Sequence, residues 1–187
     1  MIYLVRHGLD DESFIGGWSN ASLTDEGVKQ IKETADYIKS ADLPFENIYS
    51  SDIKRAYESA MIIKEETSFE SDIIRTSILR ELDKGELNGL DRNEARLLYE
   101  DYISVDDINI VYPNGESMRQ FYERIKRDLD RILALDNSVL VTHRGVINMI
   151  YFILNDISLS MDKERFGVTH GSVHELDVSK RTIRKIY

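Results

Sequence analysis

Residues 1–8 read MIYLVRHG, an apolar run that leads directly into an arginine, a histidine and a glycine. A short apolar run of this kind is typical of a buried strand. In open α/β sheets, ligands bind at the carboxyl ends of the strands, which is where Arg6 and His7 would stand. Residues 138–145 read SVLVTHRG, so they repeat the arrangement and place His143 in an equivalent position.

Strand-like and helix-like patterns alternate along the rest of the chain. One helix is predicted after Thr24, which would cap it, and another after Ser51. The other predicted elements are strands at residues 47–50 and 72–76, a long helix starting at residues 113–115, a helix at residues 146–154 and two C-terminal strands. This alternation predicts an α/β fold, a three-layer sandwich with a mainly parallel central sheet covered by helices on both faces, plus a short lid.

The composition predicts one domain over residues 1–187, with residues 91–112 as a small lid. Hydrophobic residues make up 42% of the 187 residues, enough for a sizeable core. The formal net charge of -10 argues against binding to nucleic acid or to an anionic membrane, because both need a basic surface.

Cysteine and hydropathy define the expected compartment. The chain has no cysteine, which excludes disulfides, thiolate nucleophiles and cysteine-bound metals. The apolar run at residues 1–5 is too short for a signal peptide, and no stretch reaches transmembrane length. We therefore expect a cytoplasmic protein.

A phosphoryl group is the ligand that the expected cluster of side chains fits. Arg55 lies about one turn into the helix predicted after Ser51, so it would join Arg6 and both histidines above one sheet edge. Arginine binds phosphate oxygens bidentately, and neutral imidazole can attack phosphorus. The leaving oxygen then needs a proton donor. The loop at residues 79–89 offers several carboxyl groups, and spacing alone does not choose among Glu81, Asp83 and Glu86.

Six blocks, in order along residues 1–150, resemble the histidine phosphatase superfamily, the phosphoglycerate mutase-like group. They are LVRHG at 4–8, GWSNASLTDEG at 17–27, SDIKRA at 51–56, LRE at 79–81 with Gly85 and Gly89, PNGES at 113–117, and VTH at 141–143. The resemblance implies that His7 becomes phosphorylated and that Glu81 acts first as an acid and then as a base. It further implies that Arg6, Arg55 and His143 bind the phosphoryl oxygens.

The residues after Arg-His-Gly depart from the family pattern. Members commonly carry Glu or Gln and then Thr or Ser, with an Asn three residues further, where this chain has Leu9, Asp10 and Ser13. Ser13 is expected to donate a hydrogen bond to phosphate, whereas an ionised Asp10 that faced the phosphate would repel it. Arg144 replaces a common glycine, and we expect it to bind part of the leaving group.

The resemblance implies a metal-independent phosphomonoesterase that needs no cofactor and acts on a small phosphorylated metabolite. The family's sugar-acid mutases carry a longer insertion between the acid loop and the PNGES block. Here only residues 90–112 separate Gly89 from Pro113, which favours transfer to water. Two alternatives stay open, a phosphoglycerate mutase-type transfer and a non-catalytic phosphate-binding protein. The substrate and the oligomeric state stay open as well.

Two further expectations concern selectivity and metals. Residues 91–112 contain six acidic and two basic side chains, so a lid formed by them would disfavour highly anionic leaving groups. The acidic residues are Asp91, Glu94, Glu100, Asp101, Asp106 and Asp107. His170 and His174 would share one face of a predicted strand, and without a third ligand they are expected to be surface histidines with no role.

Overall fold

The apolar runs that precede the two histidines form neighbouring parallel strands in the computed structural model, which describes residues 1–187. They belong to a six-stranded sheet in the order β3-β2-β4-β1-β5-β6. The strands are β1 (Ile2–Arg6), β2 (Asn47–Ser51), β3 (Ile74–Thr76), β4 (Ser138–Thr142), β5 (Val173–Asp177) and β6 (Thr182–Lys185). Strands β1 to β4 run parallel, whereas β5 and β6 pair antiparallel, so the predicted mainly parallel sheet is confirmed.

Six helices surround the sheet. They are α1 (Asp25–Ser40), α2 (Lys54–Glu66), α3 (Arg92–Leu98), α4 (Glu100–Ile103), α5 (Met118–Leu133) and α6 (Arg144–Leu154). Two single 3-10 turns, Ser77–Leu79 and Gly85–Leu87, lie between β3 and α3. No helix combines the length and the apolar character that crossing a membrane requires.

Alternating side chains of the central strands contribute to two hydrophobic cores. Ile2 and Leu4 of β1 belong to a core that includes buried residues of α5 and α6. Tyr3 and Val5 belong to a second core with α1 and α2. Successive residues of a strand point to opposite faces, so each face of the sheet is covered by its own helices. The three-layer α/β sandwich is therefore confirmed.

Helix starts follow the capping rules in two places. The Thr24 side chain accepts the backbone N–H of Gly27 at the start of α1, as predicted. Ser117 caps α5 and forms a capping box with Gln120. The long helix therefore begins at Met118, later than residues 113–115, which form a turn before it.

The predicted cap at Ser51 is wrong. Ser51 is the last residue of β2, and α2 begins after Ile53 without a side-chain cap. The hydroxyl of Ser51 lies 2.9 Å from Nε2 of His143, so a long-range partner competes with the capping role. A local pattern cannot show such a partner.

The C-terminal histidines do not lie on one face of a strand, so that expectation is also wrong. His170 precedes β5, in a turn. His174 lies in β5 and is fully buried, and its ring nitrogens lie 2.9 Å from the hydroxyl of Tyr151 and 3.0 Å from that of Ser172. It is therefore a core residue.

We predict that His174 makes the protein less stable in acid. Burial, with the charge of Lys185, lowers the pKa of His174 to about 4, whereas an unfolded chain has a value of about 6.5. Between these values the unfolded state binds the extra proton, so the free energy of unfolding falls by up to about 1.4 kcal/mol per pH unit as pH decreases.

Urea denaturation at pH 7, 6 and 5 measures this dependence. His174→Gln should reduce the slope of the free energy of unfolding against pH by the amount that corresponds to close to one bound proton. Lys39→Gln, on the exposed end of α1, should leave that slope unchanged. Equal slopes for the wild type and His174→Gln would contradict the assignment.

Candidate active site

The two histidines that follow β1 and β4 meet at the carboxyl edge of the sheet. The backbone N–H of His7 donates to the carbonyl of Thr142 at 3.0 Å, which ties the ends of the two strands together. The His7 and His143 ring centroids are 5.1 Å apart. Parallel pairing places equivalent strand ends side by side, so this closeness follows from the register of Arg6 with Thr142.

The hydrogen bonds of His7 define its tautomer. Its Nδ1 lies 2.7 Å from the carbonyl oxygen of Gly8, which can only accept, so Nδ1 carries the proton. Its Nε2 accepts from Nε of Arg55 at 3.1 Å. Burial, together with the charges of Arg55, His143 and Arg6, holds the pKa of His7 well below its ordinary value. His7 is therefore a neutral imidazole with a lone pair on Nε2.

Arg55 is buried beside this lone pair and held on three sides. One terminal nitrogen donates to Ser19 Oγ at 3.1 Å and the other to the carbonyl of Gly17 at 2.7 Å. Asp10 faces the site, with a carboxylate oxygen 3.5 Å from Nε of Arg55. Burial raises the pKa of Asp10, and the Arg55 charge opposes that rise. Asp10 thus orients the guanidinium and adds local negative charge.

Arg6 is held by residues that follow α6. One terminal nitrogen donates to the carbonyl of Val168 at 2.8 Å, and the other lies 2.5 Å from Nε2 of His170. Burial, with the charge of Arg6, lowers the pKa of His170 to about 3, so the ring is a neutral acceptor. His170 also lines the cavity beside His7. The expected surface position is wrong, because a turn before β5 brings this residue back to β1.

His143 is fully buried and bonded on one side only. The Ser51 hydroxyl accepts the N–H of Ile53 at 3.3 Å and lies 2.9 Å from Nε2 of His143. Nδ1 of His143 has no partner, and it is a donor when the Ser51 hydroxyl donates to Nε2. Nε of Arg6 is a second buried donor without a partner. Two unpaired donors close to His7 favour an anionic ligand.

Glu81 is the loop carboxylate that enters the cavity. Its Oε2 accepts the N–H of Gly145 at 3.0 Å and its Oε1 that of Leu82 at 2.8 Å. Its backbone carbonyl accepts from the Trp18 indole at 2.7 Å and from Arg124 at 3.0 Å. These bonds fix the loop on both sides, so the carboxylate faces the cavity that His7 also lines.

The other two candidate acids hold the loop rather than line the cavity. Asp83 accepts from the N–H of Gly85 at 2.8 Å and from the Asn88 amide at 2.7 Å. Glu86 accepts from the side chains of Tyr99 and Asn114. Of the three carboxyl groups that spacing left open, only Glu81 lines the cavity.

Glu116 and Arg124 brace the Glu81 loop from outside. Glu116 pairs with Arg124 at 2.6 Å and accepts the N–H of Asp83 at 2.9 Å. In the sequence, Glu116 stands out only as part of the PNGES block, and Arg124 belongs to none of the six blocks. Their role depends on α5 packing beside residues 79–83, which no local pattern shows.

Ser13 and Arg144 have different positions. Ser13 is exposed, its hydroxyl donates to the Asp11 carboxylate at 2.6 Å, and it does not line the cavity. The structure therefore does not bring it to the other predicted phosphate ligands. Arg144 lines the cavity and pairs with Glu164 at 2.5 Å.

The cavity above these groups opens to solvent and has a volume of about 160 Å³. Of residues 91–112, Arg92 and Tyr112 line it, and none of the six carboxylates of that segment does. The expected exclusion of anionic leaving groups by those carboxylates therefore has no basis in the structure.

Known proteins match the chain along nearly its whole length. A family model described as histidine phosphatase superfamily (branch 1) matches residues 2–185. A 2,3-bisphosphoglycerate-dependent phosphoglycerate mutase from Parvibaculum lavamentivorans is 28% identical over 199 aligned positions, covering 99% of this chain and 94% of the relative.

Two solved structures share the fold. A mycobacterial glucosyl-3-phosphoglycerate phosphatase has a TM-score of 0.75 at 22% identity, covering 99% of this chain and 95% of that one. An alpha-ribazole phosphatase from Shigella flexneri has a TM-score of 0.79 at 19% identity, covering 99% and 94%. At these identities the likeness establishes the fold alone.

Gly145 offers a test of the Glu81 position. A Cβ on Gly145 would lie 1.9 Å from Oε1 of Glu81, so Gly145→Ala must push the carboxylate away. The resemblance implies that Glu81 is the proton donor, and in that role its displacement should lower kcat with a phosphomonoester substrate by about two orders of magnitude. Glu81→Gln should reproduce this loss, because it removes the same proton.

Thermal unfolding of both variants provides the control for folding. The double variant should be no slower than the slower single variant, because both changes remove one function. Wild-type kcat in folded Gly145→Ala would show that the Glu81 position is not critical.

Proposed function

The chain belongs to the histidine phosphatase superfamily, branch 1, and we propose that it hydrolyses small phosphomonoesters through a phosphohistidine formed on Nε2 of His7. The observation that carries this proposal is the neutral His7 ring beside two guanidiniums and two unpaired donors. The Nε2 lone pair of this ring accepts a hydrogen bond from Arg55 and would become the nucleophile when that guanidinium shifts to a phosphoryl oxygen. Relatives named as mutases and structural neighbours named as phosphatases both handle phosphoryl groups.

In the first step, the Nε2 lone pair of His7 attacks phosphorus in line with the ester oxygen. The phosphorus–oxygen bond to the leaving group breaks, and protonated Glu81 gives its proton to that oxygen. Arg6, Arg55 and Nδ1–H of His143 stabilise the charge on the three remaining oxygens. Arg55 already donates to Nε2, so it lies where it can shift to a phosphoryl oxygen as phosphorus arrives.

In the second step, water attacks the phosphohistidine. Glu81, now a carboxylate, takes a proton from the water, and the phosphorus–nitrogen bond breaks to return neutral His7 and release inorganic phosphate. Catalysis in this scheme is positioning and electrostatic stabilisation. The guanidiniums supply the positive charge, so the scheme requires neither a metal ion nor a cofactor.

The positive charge of the proposed site is a local cluster in a protein that is acidic overall. The chain has a formal net charge of -10, yet Arg6 and Arg55 are both buried next to His7. Such burial is costly without an anion to balance it. Asp10 neutralises only part of the positive charge of the two guanidiniums, and a bound phosphate would neutralise the rest.

Phosphate release and protein labelling test the nucleophile. With EDTA present and p-nitrophenyl phosphate as substrate, the wild type should release phosphate, and His7→Ala should release none above background. Quenched wild type should carry an acid-labile, base-stable phosphate, as a phosphoramidate does. Release that EDTA abolishes, or that survives in His7→Ala, would overturn the mechanism.

The segment between Gly89 and Pro113 is short and forms only two helices, of seven and four residues, and loops. Its shortness favours transfer to water over transfer to a sugar acid. A mutase must shield its phosphoenzyme from water. Phosphorus NMR with a monophosphoglycerate and catalytic bisphosphoglycerate should therefore show inorganic phosphate accumulating faster than the isomeric monoester. The opposite order would indicate a mutase.

A further inference from the structure

Positive charge lines the cavity beyond the groups used for the phosphoryl transfer. Six basic side chains line it, against five acidic ones. Arg6 and Arg55 belong to the phosphoryl pocket. The remaining basic side chains are Lys84, Arg92, Arg144 and Lys163.

The acidic side chains that line the cavity do not balance this second group, in which only Arg144 has a carboxylate partner, Glu164, outside the lining. Asp10 pairs with Arg55, and Glu81 faces the phosphoryl pocket. The other three, Asp11, Glu12 and Asp162, are exposed. Of the four cations, Lys84 and Arg144 are partly buried, whereas Arg92 and Lys163 are exposed. The inner wall is therefore more cationic than the mouth.

Lys84 and Lys163 have no carboxylate partner within ion-pair distance. Burial lowers the pKa of Lys84 to about 8, and the charge of Lys163 adds to the lowering. Lys163 is exposed and lines the same cavity as Lys84 and Arg144, so an anion placed in that part of the cavity would be attracted by all three charges.

The local structure holds these cations in place. The Lys84 stem packs against Gly17, whose carbonyl binds Arg55, so Lys84 extends the phosphoryl pocket. Arg144 and Asn148 are four residues apart on α6 and share a face. The Asn148 amide donates to the Lys163 carbonyl at 2.9 Å, which fixes that loop over the cavity.

Two uncharged groups near the cations are also unpaired. Oδ1 of Asn148 and Oγ of Ser160 are buried, line the same cavity and have no hydrogen-bond partner. Asn148 itself is 4% exposed. Buried polar atoms normally find partners, so these two atoms indicate a polar ligand at this wall.

We propose that Lys84, Lys163 and Arg144 form a second anion site, which binds a carboxylate or a second phosphate on the leaving group of the phosphomonoester. Asn148 and Ser160 would bind a hydroxyl of the same group. The proposal rests on the proposed function, because it assigns the part of the cavity that the leaving group would occupy. It reverses the selectivity expected from the acidic segment at residues 91–112.

Binding to the His7→Ala protein tests the site without requiring turnover. Calorimetry would compare phosphoglycolate with 2-hydroxyethyl phosphate, and propane-1,3-diol bisphosphate with 3-hydroxypropyl phosphate. In at least one pair, we expect the compound that carries the second anionic group to bind about tenfold more tightly than the compound that carries a hydroxyl in its place. The pair with the larger ratio identifies carboxylate or phosphate as the preferred group. Equal affinities within both pairs would overturn the proposal.

Lysine variants identify the residues responsible. In the His7→Ala background, Lys84→Met and Lys163→Met keep the apolar stem and remove the charge, so each should reduce the binding ratio at least threefold. The same two variants should change the affinity for 2-hydroxyethyl phosphate and 3-hydroxypropyl phosphate, whose leaving groups are uncharged, by less than twofold. Lys39→Met, on the exposed end of α1, is the matched control. An unchanged ratio in both lysine variants would exclude these residues as the site.

Turnover by the otherwise wild-type chain separates this inference from the proposed function. If no ester is hydrolysed but the binding ratio is present and depends on the lysines, the second anion site stands and the phosphatase proposal fails. If esters are hydrolysed without any preference for an anionic leaving group in binding, the phosphatase proposal stands and the second site fails.

Discussion

The parallel pairing of β1 with β4 is the constraint on which the candidate site depends. It sets Arg6 beside Thr142 and lets the His7 backbone N–H donate to the Thr142 carbonyl. Because both strands are buried on both faces, a one-residue slip would move apolar side chains out of two cores at once. The energy of the cores therefore fixes how far apart the two histidines stand.

Around the two histidines, the guanidiniums of Arg55 and Arg6 are each held in place by neighbouring polar groups. Arg55 is oriented by Gly17, Ser19 and Asp10, and Arg6 by Val168 and His170. These supports come from two loops that are distant in sequence, the one between β1 and α1 and the one between α6 and β5. They hold the guanidiniums still before a ligand arrives, which reduces the reorganisation that phosphoryl transfer would otherwise require.

The Glu81 loop shows how far prediction from sequence reached. Residue types narrowed the acid to three carboxyl groups, and the family resemblance selected Glu81. The structure supplies a physical reason for that selection, since Asp83 and Glu86 are engaged in holding the loop while Glu81 lines the cavity. The resemblance did not extend to Ser13, which lies outside the cavity, or to His170, which lies within it.

Apolar periodicity, capping residues and the alternation of strands and helices act over a few residues, so they were enough to predict the fold class and most elements, although not the start of α5 or the cap of α2. The sequence also determined which two strand ends carry histidines. The contacts of Ser51, His170, Glu116 and Lys84 appear only in the folded chain, because each of these residues meets a neighbour dozens of residues away. Burial and hydrogen bonding between distant segments set charge and tautomer, and neither property is encoded in a local pattern.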